Sequence, residues 1–244
     1  MKRNRTLWLA AGCVAAAALL AMVAWMMIAP EGQPQPPAST AGQQTLTQGT
    51  EPFAVNFPRP VSGCELELRS MTNYTGAYVE EGSNQQVTNV AMAHIVNIGS
   101  QPVEFALVQV AWGEEILQFR VSLLLPGESV LVQEAQMKAM PDAAVTQCSA
   151  EVAMLAETDW QQQLSVTDNG DGSLTVVNLT DRDLAQVRLF YKYYSQEQQL
   201  YVGGIAFSAK ITELKAGAEV TVRPSHYIAG DSRIITAEIY DVAQ

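Results

Sequence analysis

The chain has 244 residues, 25 acidic against 14 basic, and a formal net charge of −11. Three of the basic residues, Lys2, Arg3 and Arg5, precede the first hydrophobic run, so the remainder sets 11 basic against 25 acidic residues, a net −14. Such a surface repels phosphate backbones and argues against nucleic-acid binding.

Leu7 to Ala29 (LWLAAGCVAAAALLAMVAWMMIA) is 23 residues without charge or proline. As a helix it is about 35 Å long, enough to cross a hydrocarbon core of roughly 30 Å with some tilt. A cleaved signal peptide fits poorly. The basic n-region is present, but the run exceeds the usual h-region, and Met27-Ile28-Ala29 before Pro30 is a poor cleavage site. Ala10-Ala11-Gly12-Cys13 has the form of a lipobox, yet too few apolar residues precede it and 16 more follow Cys13. The run reads as an uncleaved anchor. By the positive-inside rule residues 1–6 are cytoplasmic and the rest lies outside. Trp8 and Trp25 sit near the two ends, and Cys13 is a small apolar residue of the helix.

Residues 30–60 are rich in Pro, Gln, Thr, Gly and Ala, with few apolar side chains before Phe53. They bury too little surface to offset ordering entropy, which predicts a disordered tether. Its end, Phe53 to Phe57, reads as a segment that docks on the first domain.

From Val61 onward short alternating runs are separated by turn residues, and no sustained 3.6-residue period appears. Strands are predicted around 64–69, 87–96, 102–112, 116–124, 129–133 and 148–155, with one short helical turn over 134–140. The second half repeats that order. Val176 to Thr180 parallels Ile95 to Gly99, Ala185 to Tyr194 parallels the strand ending at Trp112, Leu214 to Val222 parallels Leu124 to Val132, and Thr236 to Ile239 parallels Ser149 to Val152. Four matches in one order indicate a duplicated module. The prediction is an all-β region of two tandem β-sandwich modules, 61–158 and 159–244.

An Asn-containing turn after a strand, a long apolar strand, then L-x-x-G-x-x-V-x-V (Leu124 to Val132) resembles immunoglobulin- or fibronectin-III-like sandwiches of bacterial surface proteins. The tract Tyr74 to Ser83 (YTGAYVEEGS) is similar to one in membrane-anchored proteins of Gram-positive anaerobes. The resemblance covers Val61 to Gln244. It implies fold and anchorage and carries no activity or site residue across.

An even pair of cysteines outside a membrane suggests a disulfide. Cys64 is placed on the first strand of module one and Cys148 on its last, and a bridge there stabilises by about 4–5 kcal/mol on the chain-entropy account.

Several motifs invite a chemical reading. Asp168-Asn169-Gly170-Asp171-Gly172-Ser173 has the start of a calcium loop, with Asp168 and Asp171 as weak candidate ligands. Leu179 stands where the bidentate acid belongs, so a tight hairpin is preferred. Gly230-Asp231-Ser232 matches a hydrolase serine motif but has no downstream histidine, and reads as a turn. His94 and His226 are each alone. Glu80-Glu81 and Glu114-Glu115 are adjacent pairs that point to opposite faces, and read as solvated turns. Phe190-Tyr191-Lys192-Tyr193-Tyr194 and Tyr201-Val202-Gly203-Gly204 are the most suggestive. Alternation puts Tyr191 and Tyr193 on one face, so Tyr191, Tyr193 and Tyr201 form a candidate platform for a glycan or peptide. The two glycines would admit a partner's backbone. An aromatic-rich strand of the core is the competing assignment.

No nucleotide, zinc-protease or nucleophile-elbow motif is present, and no cofactor or catalytic residue is predicted. The sequence therefore points to a non-enzymatic structural or interaction module of the cell envelope, single-pass in the membrane, with an envelope protein or the wall as partner. The alternative is a carbohydrate- or peptide-binding surface module, calcium-assisted if the Asp168 loop holds an ion.

Overall fold

The computed structural model describes residues 57–241 apart from 84, 143, 144 and 157. The predicted crossing helix and all but the end of the predicted tether lie outside the described residues. No helix among the described residues is long and apolar enough to cross a membrane.

Alternation in the chain becomes strands with one buried side. In Val103–Trp112 the residues Val108, Val110 and Trp112 are buried, while Leu107, Gln109 and Ala111 between them are half-buried. The first module holds β1 (Arg59–Pro60), β2 (Leu66–Tyr78), β3 (Gln85–Asn97), β4 (Val103–Trp112), β5 (Glu115–Leu124), β6 (Ser129–Gln133) and β7 (Val145–Met154). A single turn, α1 (Trp160–Gln163), leads into the second: β8 (Leu164–Asp168), β9 (Leu174–Asn178), β10 (Leu184–Ser195), β11 (Leu200–Leu214), β12 (Glu219–Val222) and β13 (Ser232–Asp241). The helical turn predicted over 134–140 is not formed. Glu134 is fully buried there, and its carboxylate accepts the backbone N–H groups of Gln118 (3.0 Å), Gln136 (2.7 Å) and Lys138 (2.9 Å), holding an irregular loop.

The two halves carry the same features at matching places. Sheet order β2-β3-β6 recurs as β8-β9-β12, and β5-β4-β7 recurs as β11-β10-β13. Asn97 and Asn178 are both buried, and their N–H groups bond the carbonyls of Glu128 (3.0 Å) and Ala218 (2.9 Å). Leu123 and Glu213, each just before the leucine that ends its strand, both adopt left-handed φ, 47° and 56°. Gly127 and Gly217 do so in the turns beyond, at 77° and 64°.

The modules are not two closed sandwiches in a row. The short β6 pairs in parallel with the start of β11, Val130 with Tyr201 and Leu131 with Val202. That pairing fuses one sheet of each module into a seven-stranded layer, β1-β2-β3-β6-β11-β10-β13. Separate three-stranded sheets complete the two cores, β5-β4-β7 for the first and β12-β9-β8 for the second. On β10, Val187, Leu189 and Tyr191 pack in the second core, while Phe190 and Tyr194, on the other face, pack against the first. Strand β10 is thus covered on both sides along Phe190 to Tyr194, which fits the aromatic character of that stretch.

Cys64 is not on a strand. It lies in the turn before β2, with its thiol toward the Val61 carbonyl (3.8 Å). The preceding residues strap the outer edge of β7: Ser62 N–H bonds the Cys148 carbonyl (2.9 Å) and its own carbonyl takes the Ala150 N–H (3.2 Å). Cys64 and Cys148 are both free thiols, so the expected disulfide is absent from this structure. Burial pushes the Cys148 thiol up to about 11, with the neighbouring Cys64 adding to the shift. The expected docking of residues 53–57 is seen at Phe57, whose ring lies 6.3 Å from that of Trp112; residues 53–56 lie outside the described residues.

Candidate functional site at the joint between the modules

The tyrosine platform is not formed. Tyr191 and Tyr193 do share a face, but Tyr191 is fully buried there, edge-on to Tyr227 at 5.5 Å. Tyr201 is buried at 3% exposure and donates its hydroxyl to Glu128 Oε1 (2.9 Å). Only Tyr193 stays half-buried, against Phe207 (5.2 Å), which in turn stacks on His226 (4.6 Å). The platform reading assumed one free face for this strand, and the fused sheet leaves none over these residues. Gly204 does admit a close backbone, but it is the chain's own, and Gly203 packs against the Val79 side chain. A Cβ on Gly204 would collide with the Arg120 carbonyl oxygen on β5.

The Asp168 loop is a hairpin joining β8 to β9. Its carboxylates are taken internally. Asp168 accepts the Gly170 N–H (2.8 Å) and the Tyr227 hydroxyl (3.0 Å). Asp171 accepts the Ser173 N–H (3.0 Å) and pairs with Arg223 (2.8 Å). The Ser173 hydrogen bonds, with Arg223 beside them, hold the Asp171 carboxyl down to about 2. Among the described residues no group of three or more acidic, histidine or cysteine side chains is placed to hold a metal ion. Ser232 accepts the Ile228 N–H (3.0 Å) and closes a turn, as the sequence suggests. Glu115 forms an exposed pair with Lys138 (3.2 Å).

Glu80 departs from its expected place in a solvated turn. It follows β2 and reaches into the joint. One carboxylate oxygen accepts the Gln133 N–H of β6 (2.8 Å), and the other accepts the Gly204 N–H of β11 (2.7 Å). A single side chain from module one thereby clamps both partners of the parallel pair that fuses the sheets. The Gln133 side chain completes the corner, accepting the Val79 N–H (2.8 Å) and donating to the Ala77 carbonyl (2.9 Å).

From module two, Lys192 on β10 enters the same region. It is fully buried, donates Nζ to the Ser122 carbonyl of β5 (3.0 Å), and lies 5.2 Å from the Tyr201 ring centroid. Ser122 also accepts the Ala206 N–H through its hydroxyl (2.7 Å). Burial raises the Glu80 carboxyl to about 7, although its backbone donors and Lys192 act in the opposite direction. Burial lowers Lys192 to about 8, opposed by Glu80 and Glu128. Glu80 is half-buried and itself lines a depression, together with Tyr78, Glu81, Arg120, Gln133, Ala135 and Ile205. Both Glu80 oxygens and the Lys192 amine are engaged by backbone groups from the opposite module or strand. The arrangement ties the segment after β2 to β6 and β11, and β10 to β5.

Sequence reasoning missed both residues. Lys192 had a signal: in a two-residue period it falls on the face of Phe190 and Tyr194, so a lysine there must be buried or paired. Glu80 had none, because its second donor, the Gly204 N–H, is 124 residues away. A scan against protein-family models and a search of curated proteins return no match to this chain.

Proposed function

We propose that this chain is a non-enzymatic structural or interaction protein of the cell envelope, anchored by residues 7–29 with residues 1–6 in the cytoplasm. Residues 30–60 then tether an acidic pair of β-modules outside the membrane. The observation that most supports it is the joint. A buried lysine, a half-buried carboxylate and a shared sheet are committed to fixing module orientation, as a spacer or docking body requires. The test is photo-crosslinking in intact cells together with labelling by a membrane-impermeant amine reagent. Labelling of Lys210 and Lys215 in intact cells, and capture of one defined envelope protein, is the expected result. Protection of both lysines until the membrane is breached would sink the proposal.

The same address bears on the thiols. In an oxidising compartment Cys64 and Cys148 join, pinning the strap at Ser62 to β7. Peptide mapping of the exported protein under non-reducing conditions should recover the linked pair, and recovery of both cysteines as free thiols would refute it.

A second reading, a carbohydrate- or peptide-binding module, rests on the half-buried Tyr193, Phe207 and His226. Glycan binding lost in Tyr193→Ala would favour it over the scaffold.

A further inference from the structure

We propose that Asn169 is a self-modification site, deamidating through Gly170 only when the hairpin that holds both residues opens. Such a site goes beyond the envelope assignment and stands without it, because only the turn between β8 and β9 is involved.

Eight asparagines occur in the chain, and only Asn169 is followed by glycine. The hairpin itself demands that glycine. Gly170 takes a φ of 77°, where a side chain is strained. The turn therefore sets a backbone nitrogen with no neighbouring side chain next to a carboxamide. In the reaction the Gly170 nitrogen bonds the Asn169 side-chain carbon Cγ. The Cγ–Nδ2 bond breaks, and Nδ2 leaves as ammonia with the proton that Gly170 gives up. A five-membered imide remains, and water opens it to aspartate or isoaspartate. Water is the one co-reactant, and both residues are exposed to it, so burial does not shield them.

Hydrogen bonds hold the reacting groups back instead. The Gly170 N–H donates to Asp168 Oδ1 (2.8 Å). Removing that proton would leave an amide anion beside a carboxylate, where like charges repel. The Tyr227 hydroxyl, on Asp168 Oδ2 (3.0 Å), keeps that carboxylate in place. The Asn169 carboxamide is engaged on its other side. Its Nδ2 donates to Ser173 Oγ (2.9 Å) and Thr175 Oγ1 (3.1 Å), and Oδ1 lies 3.2 Å from the same threonine hydroxyl. The Asn169 N–H bonds the Ser173 carbonyl (3.1 Å) and closes the loop. Attack on Cγ requires the carboxamide to leave Ser173 and Thr175 while Gly170 leaves Asp168. Opening of the turn frees both at once. The product is one-way: it adds a negative charge between Asp168 and Asp171, and isoaspartate also lengthens the main chain where β8 must stay in register with β9.

The experiment follows aspartate and isoaspartate at position 169 by peptide mass mapping. The full chain is held at mildly alkaline pH, folded or unfolded in guanidinium, as wild type, Asp168→Asn and Thr175→Val, with folding checked by circular dichroism. Wild type should convert about tenfold more slowly folded than unfolded, the factor that one hydrogen bond to a charged group carries. Either variant, folded, should convert about three- to tenfold faster than folded wild type, while the unfolded chains convert alike. Equal rates for folded and unfolded wild type overturn the proposal, and so does protection that both variants keep in full. If neither variant folds, Tyr227→Phe, which loosens the Asp168 carboxylate without altering the turn, is read in their place. Faster conversion in folded Tyr227→Phe supports the proposal, and an unchanged rate overturns it.

Discussion

Gly204→Ala is expected to lower unfolding stability by about 3 kcal/mol or more, among the largest losses any single methyl should cause in this chain. The added Cβ has nowhere to go. It meets the Arg120 carbonyl oxygen and lies 2.8 Å from Val132 Cγ1, and the first of these is backbone in the middle of β5. Relief requires β11 to part from β5 and β6, which also breaks the Gly204 N–H bond to Glu80. Gly217→Ala is the control. Its φ of 64° is unfavourable to alanine, but nothing lies within 4 Å of the new methyl. It should cost only about 1–2 kcal/mol. Urea unfolding of the two variants separates space from backbone conformation, and similar losses in both would refute the close contact at the joint.

Asn178→Ala should cost about 3–4 kcal/mol, and Asn97→Ala somewhat less. Each asparagine is buried where one strand ends and organises the adjoining turn. Asn178 donates to the carbonyls of Arg182 (2.8 Å), Lys215 (3.0 Å) and Leu214 (3.3 Å), and accepts the N–H (2.9 Å) and hydroxyl (2.7 Å) of Thr180. Asn97 donates to Gln101 (2.9 Å) and Leu124 (3.0 Å), and accepts the Gly99 N–H (3.0 Å). Alanine leaves the buried Leu214 and Leu124 carbonyls without this donor, and the variant that loses more partners should lose more stability. The aspartate variants keep the acceptor but not the donor, and should recover little. A loss below about 1 kcal/mol at both sites, measured by denaturant unfolding, would mean that water replaces the amide.

Glu134 illustrates why some of the molecule was hidden in the chain. Read along the sequence, EAQMKAM has helix-forming residues and a helical spacing. The structure instead engages the Glu134 carboxylate with three backbone donors, one of them Gln118 on β5. A distant strand outweighed the weak local propensity. Tyr191 is a similar case. Its face was legible from alternation, but whether that face met solvent depended on which sheet came to lie over it.

Features that depend on neighbours along the chain were legible in the amino-acid order alone. Period-two burial in β4, the tight hairpin over Asp168 to Ser173 and the matched turns at Gly127 and Gly217 are set by side-chain alternation and by residues that tolerate left-handed φ. That the modules share a sheet emerges only in three dimensions. The parallel contact of Val130 with Tyr201 and the Glu80 clamp on Gly204 join segments 71 and 124 residues apart. No local pattern encodes such pairings, because their free energy comes from surfaces that exist only after each module has folded. The aromatic stretch was therefore readable as a strand and unreadable as a joint.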